Sequence, residues 1–295
     1  MRNALRWGFL ALATALMAWA VAASWDEVVA TVRTMSWPAV AASLAAAVVA
    51  LGLSMLSWRA VMRAVGLDVR VAVAARVFFL SQMGKYVPGS VWPVLAQAEL
   101  ARDHGVSRAR SMTGAIVAMI VGAVTAGIVG VAGLVLSRPD ALAAYWWAVL
   151  AVLGMAAVLV PPLLHRVVGV AFRITRRDEA PARIGGRALA ASVAFAVVQW
   201  LALGLHAWLL LDQVAPGTSV ALACGAFAFA WIVGFVVVIA PAGAGAREAA
   251  LVLALGGVVA PAQALSIALV SRLFMTLADV IGLGAGLAIG ARRER

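Results

Sequence analysis

The sequence predicts an all-α, polytopic integral membrane protein of about eight transmembrane helices, with a re-entrant or broken helix segment in each half. Three observations predict it. The 295 residues are 65% hydrophobic and only 12% charged, with a mean hydropathy of +1.04, too little polar surface for a water-soluble globule of this length. Seven apolar runs approach or exceed the roughly 20 residues that cross a hydrocarbon core of about 30 Å. Two further apolar segments are interrupted by glycine and proline. No charged or mixed-period stretch exceeds about 25 residues, too few for a separate soluble domain. Residues 1–295 therefore read as a single transmembrane domain.

Arg2 and Arg6 precede the first run, 7–23, and Ser24 follows it. A cleaved signal peptide shares this pattern, but the length of the run and Trp19 near its end favour a retained first helix. Further spans are expected at 37–58, 111–136, 141–164, 188–211, 218–240 and 263–290. Segment 71–101 contains GKYVPGSVWP (Gly84 to Pro93). Segment 241–259 opens on PAGAGARE (Pro241 to Glu248) and has only about 11 apolar residues after it, roughly 16 Å of helix. It reads as a short or broken helix. The link 165–187, with six arginines, Asp178 and Glu179, reads as a solvated loop and a topology signal lying on anionic membrane lipids.

Charge orients these pieces. Placing both termini and the links 59–76, 102–110 and 165–187 in the cytoplasm collects 18 arginines on one side, while the opposite loops hold Arg33 and Arg138. The count closes at eight crossings if 71–101 dips in and returns while 246–260 crosses as a short helix. The two halves, about 1–140 and 141–295, echo each other as a possible internal repeat, inverted or parallel. Paired glycine/proline interruptions in two halves point to a transporter's substrate site.

The cations left over are Lys85, Arg247 and Arg272. Of the 23 Lys and Arg residues Lys85 is the one lysine, and an ionisable group at membrane depth is a functional candidate by default. Pro88 removes a backbone donor, while Gly84 and Gly89 permit close approach of another group. Helix ends exposed in this way favour an anion such as phosphate. A kink that only serves helix packing is the alternative. Arg247 and Glu248 follow Gly243 and Gly245 at the expected start of a short helix, where Glu248 can cap the helix or restrain an arginine; an ordinary interfacial ion pair is the alternative. Arg272 and Asp279 lie seven residues apart on nearly one helix face, about 10 Å apart along the axis, too far to pair directly. Glu248 and Arg247 are their economical partners, giving a buried cluster to which Lys85 adds one positive charge. Trp92, Gln97 and Glu99 complete the candidate substrate-binding set, and Gln82 and Arg76 could line the same groove or serve as interhelical contacts.

Other chemistry finds little support. The net charge of +11 suits topology and anionic lipid better than nucleic acid. Cys224 is alone, so no disulfide within the chain or CxxC pair is possible, and a small core role is expected. His165 and His206 lack the spacing of a metal site, and no hydrolase, metalloprotease, nucleotide-binding or dinucleotide motif is present. No catalytic residue, metal or cofactor is expected.

The stretch Phe78 to Ser111, paired with PAGAGAREAALVLALGG (Pro241 to Gly257) and followed by Ala262 to Gly282, resembles the lysylphosphatidylglycerol synthase transmembrane family. This is the flippase-like membrane domain of multiple peptide resistance factors and of many stand-alone bacterial and archaeal proteins. By motif, Lys85, Pro88 and Gly89 match its first signature, Pro241, Gly243, Gly245, Arg247 and Glu248 its second, and Arg272 the arginine of its closing helix. The resemblance implies a bacterial plasma-membrane protein that binds or moves a lipid with a charged headgroup between leaflets, such as aminoacyl-phosphatidylglycerol or a polyprenyl-phosphate-linked lipid. These 295 residues contain no soluble aminoacyl-transferase domain, so a stand-alone member without synthase activity is expected. The alternatives are an accessory subunit of a cell-envelope glycolipid or polysaccharide pathway, alone or as a homo-oligomer, and a membrane enzyme acting on polyprenyl-linked sugar, for which only Glu99 and Asp103 offer carboxylates.

Overall fold

The computed structural model describes residues 25–86, 108–137, 141–174, 183–236 and 245–291, and every regular element among them is helical. In order these are α1 (Trp25–Thr34), α2 (Trp37–Ala64), α3 (Val71–Gln82) continued by a 3-10 turn (Met83–Tyr86), α4 (Arg108–Ser137), α5 (Ala141–Val158), α6 (Pro161–Ile174), α7 (Gly186–Leu211), α8 (Val220–Val236), α9 (Ala246–Ala254) and α10 (Pro261–Ala291). Residues 37–64, 110–137, 186–211 and 261–289 are long and apolar enough to cross a membrane, and the α5–α6 pair adds a fifth crossing if its two arms form one span. These four or five spans among the described residues establish the multi-pass helical class; the first predicted run, 7–23, lies outside them.

Local sequence sets the ends of these helices. Pro38 in the first turn of α2 and Pro261 at the start of α10 need no backbone donor there. At the far end of α2, Gly66 takes φ 84°. Its amide bonds the Arg63 carbonyl at 3.0 Å, and the Leu67 amide bonds Met62 at 2.9 Å. This glycine-terminated exit satisfies two orphan carbonyls. Just beyond it, Arg63 bonds Asp68 at 2.7 Å, and that hydrogen bond holds the exposed Asp68 carboxyl below its usual value.

Helices α2 and α7 form an antiparallel pair tied along its whole length. Ser36 N bonds Gln213 Oε1 (3.0 Å), Ser43 Oγ lies 2.7 Å from His206 Nδ1, Ser57 Oγ lies 3.0 Å from Ser192 Oγ, and Gly185 N bonds Ala64 O (2.7 Å). The paired residue numbers share one total at every contact, as a single register requires. Helix α8 packs on both α4 and α7 with almost no side chain between backbones. A Cβ on Gly133 would stand 2.4 Å from the Ala221 carbonyl oxygen, and one on Gly204 would stand 2.8 Å from the Cα of Cys224. Small residues permit such approach between membrane helices. Cys224 is buried there, as a small core residue.

Two segments depart from expectation. The run 141–164 is not one straight helix: α5 ends at Val158 and α6 leaves at 85°. Pro161 and Pro162 cannot continue the α5 hydrogen-bond ladder, though both suit the first turn of a new helix. The following link is therefore not a solvated loop throughout, because α6 runs to Ile174 and buries Leu164, Val168 and Phe172 in one core cluster with Trp58, Val61 and Val117. This spacing places three apolar side chains on one helix face. Residues 246–260, in turn, hold the expected short helix, but not one long enough to cross alone. Helix α9 has nine residues, about 14 Å against a core of about 30 Å, and ends in a turn with Gly257 at φ 82° before α10 begins.

The ends of the helices segregate charge. Gly185 on Ala64, Gly114 on Met62 and Gly286 on Arg76 gather the α2 exit, the α3 and α4 starts and the α10 end together. Arg59, Arg63, Arg70, Arg76, Arg110 and Arg187 share that end. Ser36, Asp212 and Gln213 lie at the other.

Candidate functional site

Helix α10 carries the centre of the site. At 31 residues it is about 46 Å long, and Arg272 and Asp279 lie roughly 17 Å and 27 Å from its start, well inside a bilayer. Each receives an opposite charge from a different interrupted segment. Lys85 reaches Asp279 from the 3-10 turn that ends α3, with Nζ 2.7 Å from Oδ2 and 2.9 Å from Oδ1. Asp279 is 2% exposed. Glu248 reaches Arg272 from the first turn of α9, with Oε1 2.5 Å from the guanidinium.

Glu248 has two tasks. Its other oxygen, Oε2, accepts the Gly245 amide at 2.6 Å, so the side chain caps its own helix while neutralising an arginine on the next. Gly245 has φ 82°, a conformation that any side chain would strain. Gly245 thus turns the chain so that a helix begins with its acid aimed at α10.

Arg247, next in sequence to Glu248, lies over the ring of Phe227 with its guanidinium carbon 4.6 Å from the centroid. Arg247, Glu248 and Arg272 line a small cavity with Phe227, Leu251, Ala268 and Ser271. At about 20 Å³ it has room for a water molecule. Behind it is a buried polar frame. His206, 0% exposed, bridges Ser43 of α2 and Ser271 of α10, and its ring meets Phe227 edge-on at 5.8 Å between centroids.

Of the predicted site residues, the structure brings Gly245, Arg247, Glu248 and Arg272 to one place and joins Lys85 to Asp279 two helical turns away. The expected partnership of Asp279 with Arg247 or Glu248 is corrected. Lys85 takes Asp279, because the antiparallel packing of α3 on α10, with Gly282 against Phe79 and Gly286 against Leu80, carries Lys85 to the level of Asp279. Pro88, Gly89, Trp92, Gln97, Glu99 and Gly243 lie outside the described residues. Arg76 is exposed at the arginine-rich end, away from the cluster. Ser43, Phe227 and Ser271 were not anticipated. His206, weighed only as a metal ligand, carried the one available signal, a histidine inside an otherwise apolar run. Among the described residues no group of three His, Cys, Asp or Glu side chains could hold a metal ion.

The fold and these charges define a multi-pass helical membrane protein with a paired-charge site inside the bilayer, where ionisable groups mark substrate or ion pathways. The chain belongs to the family described as "Lysylphosphatidylglycerol synthase TM region", whose model matches residues 7–282. It is thus the membrane domain of a lipid-related family. No curated protein matches the chain.

Proposed function

We propose that the chain is a flippase-like transporter that binds a lipid through a charged phosphate headgroup and moves it between leaflets, without synthase activity. Aminoacyl-phosphatidylglycerol and polyprenyl-phosphate-linked lipids are the candidate cargoes, with a bacterial plasma membrane as the setting and both termini in the cytoplasm. The observation that carries this reading is the pairing of two interrupted segments with one helix through two buried ion pairs. Among the described residues three cations, Lys85, Arg247 and Arg272, gather with two carboxylates, Glu248 and Asp279.

A phosphate entering this group meets arginine, which is suited to two-pronged contact with its oxygens. The cavity has room for a water molecule but not for a headgroup, so loading requires Glu248 and Arg272 to part. The carboxylate so released keeps the helix-capping bond to Gly245 and remains available to a cationic headgroup group. Acyl or prenyl tails stay in the surrounding lipid.

The test is leaflet exchange in proteoliposomes, with fluorescent phosphatidylglycerol and a prenyl phosphate as cargoes. Protein that accelerates exchange of one of them, and loses the acceleration in Arg272→Gln while remaining folded, supports the reading. Failure to accelerate any anionic lipid, with the wild type folded and correctly inserted, sinks it. A folded Lys85→Gln variant that supports envelope assembly fully in cells without any lipid exchange would instead favour an accessory subunit.

A further inference from the structure

The ring of His206 has partners that can serve two charge states. Nδ1 lies 2.7 Å from Ser43 Oγ and 3.1 Å from the Ser43 carbonyl oxygen. The Ser43 carbonyl can only accept from Nδ1, and the Ser43 hydroxyl has the His206 carbonyl as an acceptor at 3.1 Å, so this network assigns the hydrogen to Nδ1. Nε2 of the neutral ring is then an acceptor, and the Ser271 hydroxyl, 2.9 Å away, donates to it. A proton taken up from water lands on Nε2 and reverses this bond: Nε2–H donates to Ser271 Oγ, whose own hydrogen must rotate elsewhere. Ser271 lines the cavity with Arg247 and Arg272. Protonation of the ring thus frees a hydroxyl donor toward the place where an anion would sit.

A second coupling runs through Phe227. One neighbour of this aromatic ring is the Arg247 guanidinium at 4.6 Å and another is the His206 ring at 5.8 Å. Two positive charges separated by one phenyl group in a low-dielectric setting repel each other, and an anion in the cavity relieves that repulsion. The groups around His206 are Ser43 from α2, Phe227 from α8, Arg247 from α9, and Ser271 and Phe274 from α10. Arg272, next to Ser271, is already matched by Glu248. No carboxylate bonds the ring among the described residues.

We propose that His206 couples proton uptake to anion binding at the Arg247–Arg272 cavity, with the Ser271 hydroxyl as the reversing element; this regulation rests on the headgroup-site reading above. Anion and proton favour each other, and linkage makes the effect reciprocal. The device turns proton uptake into occupancy of the cavity.

The experiment measures binding of phosphatidylglycerol to the protein in phosphatidylcholine nanodiscs across about pH 4 to 8, the imidazole range extended on its acid side, with sulfate as a free tetrahedral oxyanion of constant charge and pure phosphatidylcholine as the uncharged control. Wild-type affinity for phosphatidylglycerol should strengthen on acidification by up to about tenfold per pH unit, the limit for one coupled proton. Ser271→Ala and His206→Asn should flatten that slope. In 15N-histidine NMR of the wild type, saturating phosphatidylglycerol should raise the protonated fraction of His206 at fixed pH, a readout that needs no variant to fold. Binding whose slope persists in Ser271→Ala, or that leaves His206 unchanged, overturns the coupling while the headgroup site stands. Linked binding of sulfate without phosphatidylglycerol keeps the coupling and sinks the lipid reading. No anion binding at any pH sinks both.

Discussion

Arg272 and Asp279 occupy one face of one helix, two turns apart, and never meet; Arg272 bonds Glu248 from α9, and Asp279 bonds Lys85 from the end of α3. Helix α10 is therefore a shared rail on which two interrupted segments dock independently. Each docking point is an ion pair that an incoming headgroup could compete for. The consequences are separable by mutation.

Removing one member of the Arg272–Glu248 pair should cost more than removing both. Arg272→Met or Glu248→Gln alone strands a buried charge, at about 3–5 kcal/mol. Glu248→Gln also weakens the cap on Gly245. The double variant should fall well short of the summed losses in chemical unfolding from mixed micelles. Additive losses would show that the two side chains are not coupled.

Lys85→Gln should destabilise the protein because Asp279, almost wholly buried, loses the cation that bonds both of its oxygens. Adding Asp279→Asn to Lys85→Gln should restore stability, as the same unfolding measurement would reveal. Lipid exchange should not return with it, since the restored fold still lacks the cation. Full transport in the double variant would remove Lys85 from the site.

The glycines where α4 and α8 cross should tolerate no added methyl. Gly133→Ala places a methyl 2.4 Å from a backbone oxygen, and Gly225→Ala places one 2.6 Å from the Leu134 nitrogen. Neither obstacle is a movable side chain, so losses of about 1–3 kcal/mol or more are expected. Gly52→Ala and Gly122→Ala meet nothing within 4 Å and should be neutral or gain about 0.5–1 kcal/mol of helix stability. Thermal unfolding in detergent ranks the four.

The docking of α6 predicts a sharp contrast between neighbours. Leu164→Ala and Phe172→Ala remove fully packed side chains and should each cost about 2–5 kcal/mol. Leu163→Ala, on the exposed face, should change stability by less than about 0.5 kcal/mol. Equal effects would mean that α6 does not pack on α2 and α4.

Asp68 gives a pH signature. Its carboxyl is held below the ordinary 3.8 by its hydrogen bond to Arg63, then by the Arg63 charge. A depressed folded value means that its contribution is present above the unfolded value and is lost as acid titrates it through the lower folded one. Asp68→Asn should therefore narrow the stability difference between neutral and acidic conditions. An unchanged profile would show that the carboxyl and Arg63 are not coupled.

Much of this was legible in the amino-acid order because a membrane imposes strong local rules. The runs around 37–58, 111–136, 188–211 and 263–290 are helices with nearly the expected ends, since length and hydropathy alone decide them. Glu248 as cap and partner of Arg272 was also readable, from its place three residues after Gly245 and from the distance that separates Arg272 from Asp279. The bend at Pro161 was missed because hydropathy continues through it to Leu164, masking the end of the α5 ladder. His206 was undervalued because nothing near it in sequence names Ser43 or Ser271.

The sequence by itself determined that the chain lives in a bilayer, where its helices run, which end gathers arginine, and that a few ionisable groups lie among apolar neighbours. Only the tertiary structure decided their pairing. Lys85 and Asp279 are 194 residues apart, and Ser43 and His206 are 163 apart. Hydropathy and propensity act within a few turns of one helix, whereas partners are chosen where glycine faces let helices approach and set their register. At those crossings, backbone contact fixes the levels at which buried charges must find each other or remain unpaired.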